Sequence, residues 1–219
     1  SENQNKYWQI RRKRNLKAKP NDFQVKRAKI FSENILHIDK TLFDIGSGDG
    51  TQLVAIKNIC NSLKIMGSDM DNYACKMSQE NNIACHFLKN EEEVFDLIKT
   101  YKPNYISLFE VLEHMKNPED FLIKLLEIKN IKVFFSFPNT GFIKHRIRLL
   151  FGRFPLQWIA HPGEHLRFWT IKDLRWWLLF IKIYSKSKVI PYKGIPLLNQ
   201  IWPNLFAEGS FVIINKDIK

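Results

Sequence analysis

Residues 42–51, Leu-Phe-Asp-Ile-Gly-Ser-Gly-Asp-Gly-Thr, constrain the fold more than any other stretch. An apolar run of strand length ends in three alternating glycines and passes at Thr51 into a helical pattern. Glycine at a strand-to-helix turn tolerates positive φ and lets the backbone come close to a ligand. Asp44 and Asp49 put negative charge around this turn, which is unfavourable for a pyrophosphate and favourable for a cation. No GxxxxGK[ST] sequence occurs, so a P-loop is excluded. A second acid follows in Met66-Gly-Ser-Asp-Met-Asp71, where Asp69 can accept both hydroxyls of an adenosine ribose and Asp71 can cap the next helix. Loop and acid together describe a pocket for an adenosine-bearing cation.

The same beat continues along the chain. Strands are predicted at 42–45, 63–66, 83–88, 105–109 and 131–137, alternating with helices at 51–60, 72–79, 91–99 and 118–128. Such alternation predicts an α/β fold with a doubly wound, mostly parallel sheet covered on both faces. After Phe137, six Pro and Gly residues from Pro138 to Gly163 break the pattern around a short basic helix at 142–151. Thr170 is the expected N-cap of a helix running to Ile181. A strand near 184–190 and a final strand at 211–214 then form a hairpin. The predicted organisation is a basic N-terminal segment with a lead-in helix (1–40), carried by Val25, Ala28, Ile30 and Ile35 to Ile38, and one domain (41–219). That domain divides into a cofactor core (41–137), a cap inserted after the fifth strand (138–169), and a last helix with C-terminal strands (170–219).

Charge follows this division. The net +12 separates into +7 over residues 1–40, −4 over 41–137 and +9 over 138–219. An acidic middle suits a cationic cofactor, and basic ends suit an anionic partner. Three cysteines without CxxC spacing favour neither a disulfide framework nor a zinc site. The longest apolar run, Trp176 to Ile181, falls far short of the roughly 20 residues that span a bilayer, and the first 20 residues lack an apolar signal core. A cytoplasmic chain is expected, at most peripheral to the inner membrane. The Arg11-Arg12-Lys13-Arg14 run could hold phosphates non-specifically, but no RNA-binding module and no NPPY-type motif accompanies it, so nucleic acid is disfavoured.

The motif series DIGSGDG, GSDMD and YISLFEVLEHMKNPEDFL, in that order over residues 41–137, resembles that of class I S-adenosylmethionine (SAM)-dependent methyltransferases. The tail, Phe135-SFPNTGFIKHRIRLLFGRFP, His165-LRFWTIKDL and Pro203-NLFAE, is similar to that of MetW-like proteins, the methionine-biosynthesis W family. The resemblance implies a Rossmann-like methyltransferase fold with a seven-stranded sheet, SAM as cofactor and S-adenosylhomocysteine (SAH) as product. It implies that Asp44, Gly46 and Gly48 approach the methionine part of SAM, that Asp69 holds the ribose, and that Met70 packs on adenine. Glu110 and Val111 would flank the cofactor. Asn90 stands where many relatives carry an Asp that accepts the adenine amino group.

Methyl transfer from a sulfonium asks the enzyme to align donor and acceptor and, for a neutral acceptor, to remove a proton. His114, just past the fourth strand, and His165, in the cap, are the candidate catalytic residues. His161, Arg167 and Arg146 are candidate acceptor-binding residues in the basic cap. No metal is expected, because no ligand spacing such as HExxH occurs. The helix at 142–151 admits three readings: a lid packed on the core, contact with an anionic membrane, or capture of an anionic acceptor. The function that results is O-methylation of a small or carrier-linked acceptor, a sugar or phosphorylated precursor of a cell-surface glycan. The alternative is a MetW-like accessory protein that binds a homoserine acyltransferase.

Overall fold

The computed structural model describes residues 8, 10, 19–36, 40–155 and 165–215. His161 and the 11–14 basic run lie outside them. The chain divides into two compact units, 1–109 and 110–219. The first unit holds four strands and the second three.

The first unit opens with helix α1 (Asp22–Ser32), followed by β1 (Thr41–Ile45), α2 (Thr51–Ile59), β2 (Lys64–Asp69), α3 (Asn72–Glu80), β3 (Cys85–Phe87), α4 (Glu93–Tyr101) and β4 (Tyr105–Phe109). Its strands run in the order β3-β2-β1-β4, with every neighbour pair parallel. The chain winds outward from β1 to β3 and then crosses back to the other side of β1. That reversal between β1 and β4 opens the crevice in which open α/β sheets bind ligands, and the glycine turn lies at its mouth. β1 and β4 are buried along nearly their whole length, as near-continuous apolar runs in a parallel sheet should be.

Helix α1 corrects the expected lead-in helix. It ends at Ser32, and its buried face is Gln24, Arg27, Ala28 and Phe31, with Val25 exposed. Buried polar groups help fasten it to α2. Gln24 Nε2 donates to Thr51 Oγ1 at 2.6 Å, Arg27 Nε to Gln52 Oε1 at 2.8 Å, and Gln52 Nε2 to the Gln24 carbonyl at 3.2 Å. All three bonds are buried, where hydrogen bonds gain most from the low dielectric.

The second unit holds α5 (Pro118–Glu127), β5 (Lys132–Pro138), α6 (Ile143–Leu150), α7 (Ile171–Phe180), β6 (Ser187–Tyr192), two short helices at Leu198–Ile201 and Pro203–Phe206, and β7 (Gly209–Asn215). Its strands run in the order β5-β7-β6, both pairs antiparallel. Thr170 caps α7 through a reciprocal capping box with Asp173, as expected. Trp177 Nε1 donates to Glu119 Oε1 at 2.7 Å, which satisfies the indole of a buried tryptophan.

Helix α6 departs from the lid reading. None of its residues is buried, and the apolar stripe Ile147, Leu150, Phe151 and Phe154 faces solvent, with Leu150 81% and Phe151 76% exposed. No helix among the described residues is long and apolar enough to cross a membrane. All three cysteines are buried free thiols.

Candidate active site

In the first unit the site grows from the β1–α2 turn. Gly46, Gly48 and Gly50 all have positive φ. The amides of Gly46 and Ser47 both donate to the Ser68 carbonyl, which ties the turn to the end of β2. Gly48 sits at φ +57°, and a Cβ there would run into the indole of Trp8. Its amide donates to Asp69 Oδ2 at 2.8 Å, while Asp69 Oδ1 accepts from the Asp71 amide at 2.8 Å. These two bonds orient the carboxylate and leave further lone pairs on both oxygens. Desolvation pushes the Asp69 carboxyl up to about 6, with the amide bonds from Asp71 and Gly48 pulling against it. Met70 follows and is 44% exposed. Asp71 caps α3, accepting from the amides of Tyr73 and Ala74.

Asp44, at the end of β1, is buried and accepts a hydrogen bond from Ser107 Oγ. Burial raises its carboxyl to about 7, against the lowering effects of Ser107 and of the Arg27 guanidinium. A sulfonium or ammonium group bound beside it would relieve that penalty. The residues therefore fit SAM: a glycine turn that admits close approach, a carboxylate held for ribose, and a buried carboxylate that gains from a cation. SAM supplies an electrophilic methyl group on a sulfonium.

The side-chain carbonyl of Asn90 accepts from the amides of Glu92 and Glu93 at 3.0 and 3.2 Å, so both lone pairs are committed to the start of α4. Asn90 thus serves the turn that leads into α4.

In the second unit, Glu110 holds φ +58°, an uncommon backbone state for a non-glycine residue, and its Oε1 accepts from Ser136 Oγ at 2.9 Å. Val111 leads into a 3-10 turn, Leu112–His114. The fold brings His114 and His165 together from 51 positions apart, with ring centroids 4.7 Å apart and planes at 82°. Buried Glu113 joins them. The amides of Leu166 and Arg167 both donate to the Glu113 carbonyl, at 2.8 and 3.1 Å, so main chain holds the His165 segment on the turn. Burial, aided by His114, lowers the His165 imidazole to about 4. It is therefore neutral at pH 7, a lone-pair donor rather than a cation.

Arg167 and Arg146 are partly occupied by backbone. Arg167 Nη2 donates to the Lys116 carbonyl at 2.7 Å, and Arg146 Nε to the Gly141 carbonyl at 2.7 Å. Sequence reasoning missed Glu113, although the Glu-His pair just beyond the fourth strand stood in view. It also missed Trp8, Arg27 and Ser107, whose roles come from contacts distant in sequence.

Comparison with known proteins agrees with this architecture. A family profile described as a methyltransferase domain matches residues 7–179. The chain belongs to the methyltransferase-domain family, and this domain is a transferase that uses SAM as methyl donor. Among solved structures it is similar to the methyltransferase domain of bacterial CtHen1 (15% identity, TM-score 0.62, covering 89% of this chain and 100% of that one). A SAM-dependent methyltransferase from Archaeoglobus fulgidus gives 14% identity and a TM-score of 0.61 over 88% of this chain and 92% of that one. The plantazolicin methyltransferase BpumL, in complex with SAH, gives 17% and 0.55 over 88% and 83%. These likenesses are of fold. In sequence, the chain is 36% identical over 78 residues to the uncharacterized protein MG259 of Mycoplasma genitalium, a match spanning 33% of this chain and 17% of that protein.

Proposed function

We propose that the protein is an O-methyltransferase whose acceptor is a hydroxyl of a sugar or phosphorylated glycan precursor, small or linked to a lipid carrier. The observation that carries this reading is the cluster of Glu113, His114 and His165, which gathers three lone-pair donors within 4.8 Å of one another. A neutral hydroxyl must lose a proton as it is methylated, so it needs lone-pair donors of this kind nearby, whereas an acceptor that arrives ionised needs none. The +9 charge of residues 138–219 supports an anionic group on the same acceptor. Helix α6 supports a lipid carrier: Lys144, Arg146, Arg148 and Arg153 stand among exposed Ile147, Leu150 and Phe151, a combination that lies on anionic membrane surfaces.

The test is transfer of an isotope-labelled methyl group from SAM to a panel of sugar phosphates, nucleotide sugars and lipid-linked sugars. A methyl ether identified by NMR on one of them is the expected result. A methyl group found on nitrogen or carbon would overturn the O-methyl reading. Co-purification with a homoserine acyltransferase, with no turnover on any acceptor, would favour the MetW-like accessory role.

A further inference from the structure

The expectation that the chain holds no metal rests on linear spacing. The fold brings together donors that the sequence keeps apart. One atom from each of Glu113, His114 and His165 lies within 4.8 Å of the other two. A triangle of that side has its centre about 2.8 Å from each corner, so inward shifts of about 0.7 Å bring all three donors to the roughly 2.0–2.2 Å of metal–nitrogen and metal–oxygen bonds. Two adjacent residues of a 3-10 turn supply two of the donors, and the paired amides of Leu166 and Arg167 on the Glu113 carbonyl fix the segment that supplies the third. His165 Nδ1 is buried and, among the described residues, has no hydrogen-bond partner. A buried polar nitrogen in that state costs free energy unless a ligand engages the ring.

We propose that Glu113, His114 and His165 bind one divalent first-row transition-metal ion of the zinc, manganese or cobalt type, leaving a coordination position open to an acceptor oxygen. Two imidazoles with one carboxylate favour such ions over the all-oxygen shells of calcium and magnesium. Three protein ligands are the number found where a metal site keeps a position open. This deepens the O-methyl reading and rests on it in one respect, that the open position takes a hydroxyl. The bound hydroxyl releases its proton to solvent or buffer base, and the ion holds the resulting oxyanion. The imidazoles then act as ligands rather than as bases.

The test uses the full, untagged chain after dialysis against a chelator. Co2+ is titrated by visible absorption, Zn2+ competes for the site in calorimetry, and SAH affinity is measured on the same samples. One equivalent of Co2+ displaced by Zn2+ is expected, and His114→Ala, His165→Ala and Glu113→Gln should each weaken binding at least about tenfold. His86→Ala, on an imidazole paired with the Tyr101 hydroxyl in the other unit, should leave it unchanged. Retained SAH affinity certifies that a variant is folded. If Glu113→Gln fails that check, paramagnetically shifted resonances from two imidazoles in Co2+-loaded wild type decide the matter, and their absence counts against the site. Stoichiometric binding that survives in all three variants, or no binding by wild type, overturns the proposal. Methyl ether formation indifferent to chelator, with no ion bound, leaves the O-methyl reading standing and removes the ion. A methylated nitrogen together with variant-sensitive Co2+ binding does the reverse.

Discussion

Asp44 shows how one buried carboxylate couples folding to cofactor binding. Its folded value of about 7 lies above the ordinary 3.8, so the folded state holds the proton more tightly than the unfolded one. Its contribution to stability is therefore complete below pH 3.8 and is lost as pH rises through about 7. Asp44→Asn should accordingly stabilise the ligand-free chain at pH 8 in chemical denaturation while weakening SAH. Cofactor binding runs the other way, because a cation favours the carboxylate. SAM affinity should rise about fivefold between pH 6 and 7, about a further twofold by pH 8, and level off above, with proton release visible in calorimetry in buffers of different ionisation enthalpy. Gly48 gives a second prediction. Gly48→Ala forces a left-handed backbone on an L-residue, at about 1–2 kcal/mol, and drives a methyl into the Trp8 ring, so both melting temperature and SAH affinity should fall. The glycine and Asp69 were legible in sequence because motif and spacing are local. The ring of Trp8 was not, since nothing near residue 8 announces a partner forty residues away. Asn90 shows the same limit, because a residue type that can accept from adenine also accepts here from two backbone amides near a helix start.

Among the elements, those with chemical stops at their ends were read best. Helix α3 begins at Asp71, whose Oδ1 accepts from two backbone amides, and Asp71→Ala should cost about 1 kcal/mol by equilibrium unfolding. Helix α7 begins at Thr170 for the same physical reason. β3, by contrast, covers only Cys85–Phe87 of the predicted 83–88, and it stops at Phe87 because its partner β2 ends at Asp69. The amphipathic pattern of α6 was plain in sequence, but periodicity reports a stripe and not what the stripe meets. Its exposed Leu150 and Phe151 predict binding to vesicles containing anionic lipid in flotation, reduced severalfold by the double change to Glu and by high salt, while neutral vesicles bind little.

At the scale of the whole molecule, charge and chemistry divide along the chain in the same way. The carboxylates that suit a cation belong to the first unit, and the neutral imidazole with its neighbours belongs to the second. The α/β winding could be read from alternating runs because each strand and helix declares itself within a few residues. The convergence of Glu113, His114 and His165 could not, because it depends on where an irregular stretch of chain is pinned. That pin is made of backbone amides, and this bears on how such a protein diversifies. Any residue except proline at 166 or 167 keeps the two donors, so those side chains can be exchanged without moving His165. A library randomised at both positions is thus a route to new acceptor preferences on an unaltered reactive centre, with Leu166→Pro and Arg167→Pro as the built-in inactive members.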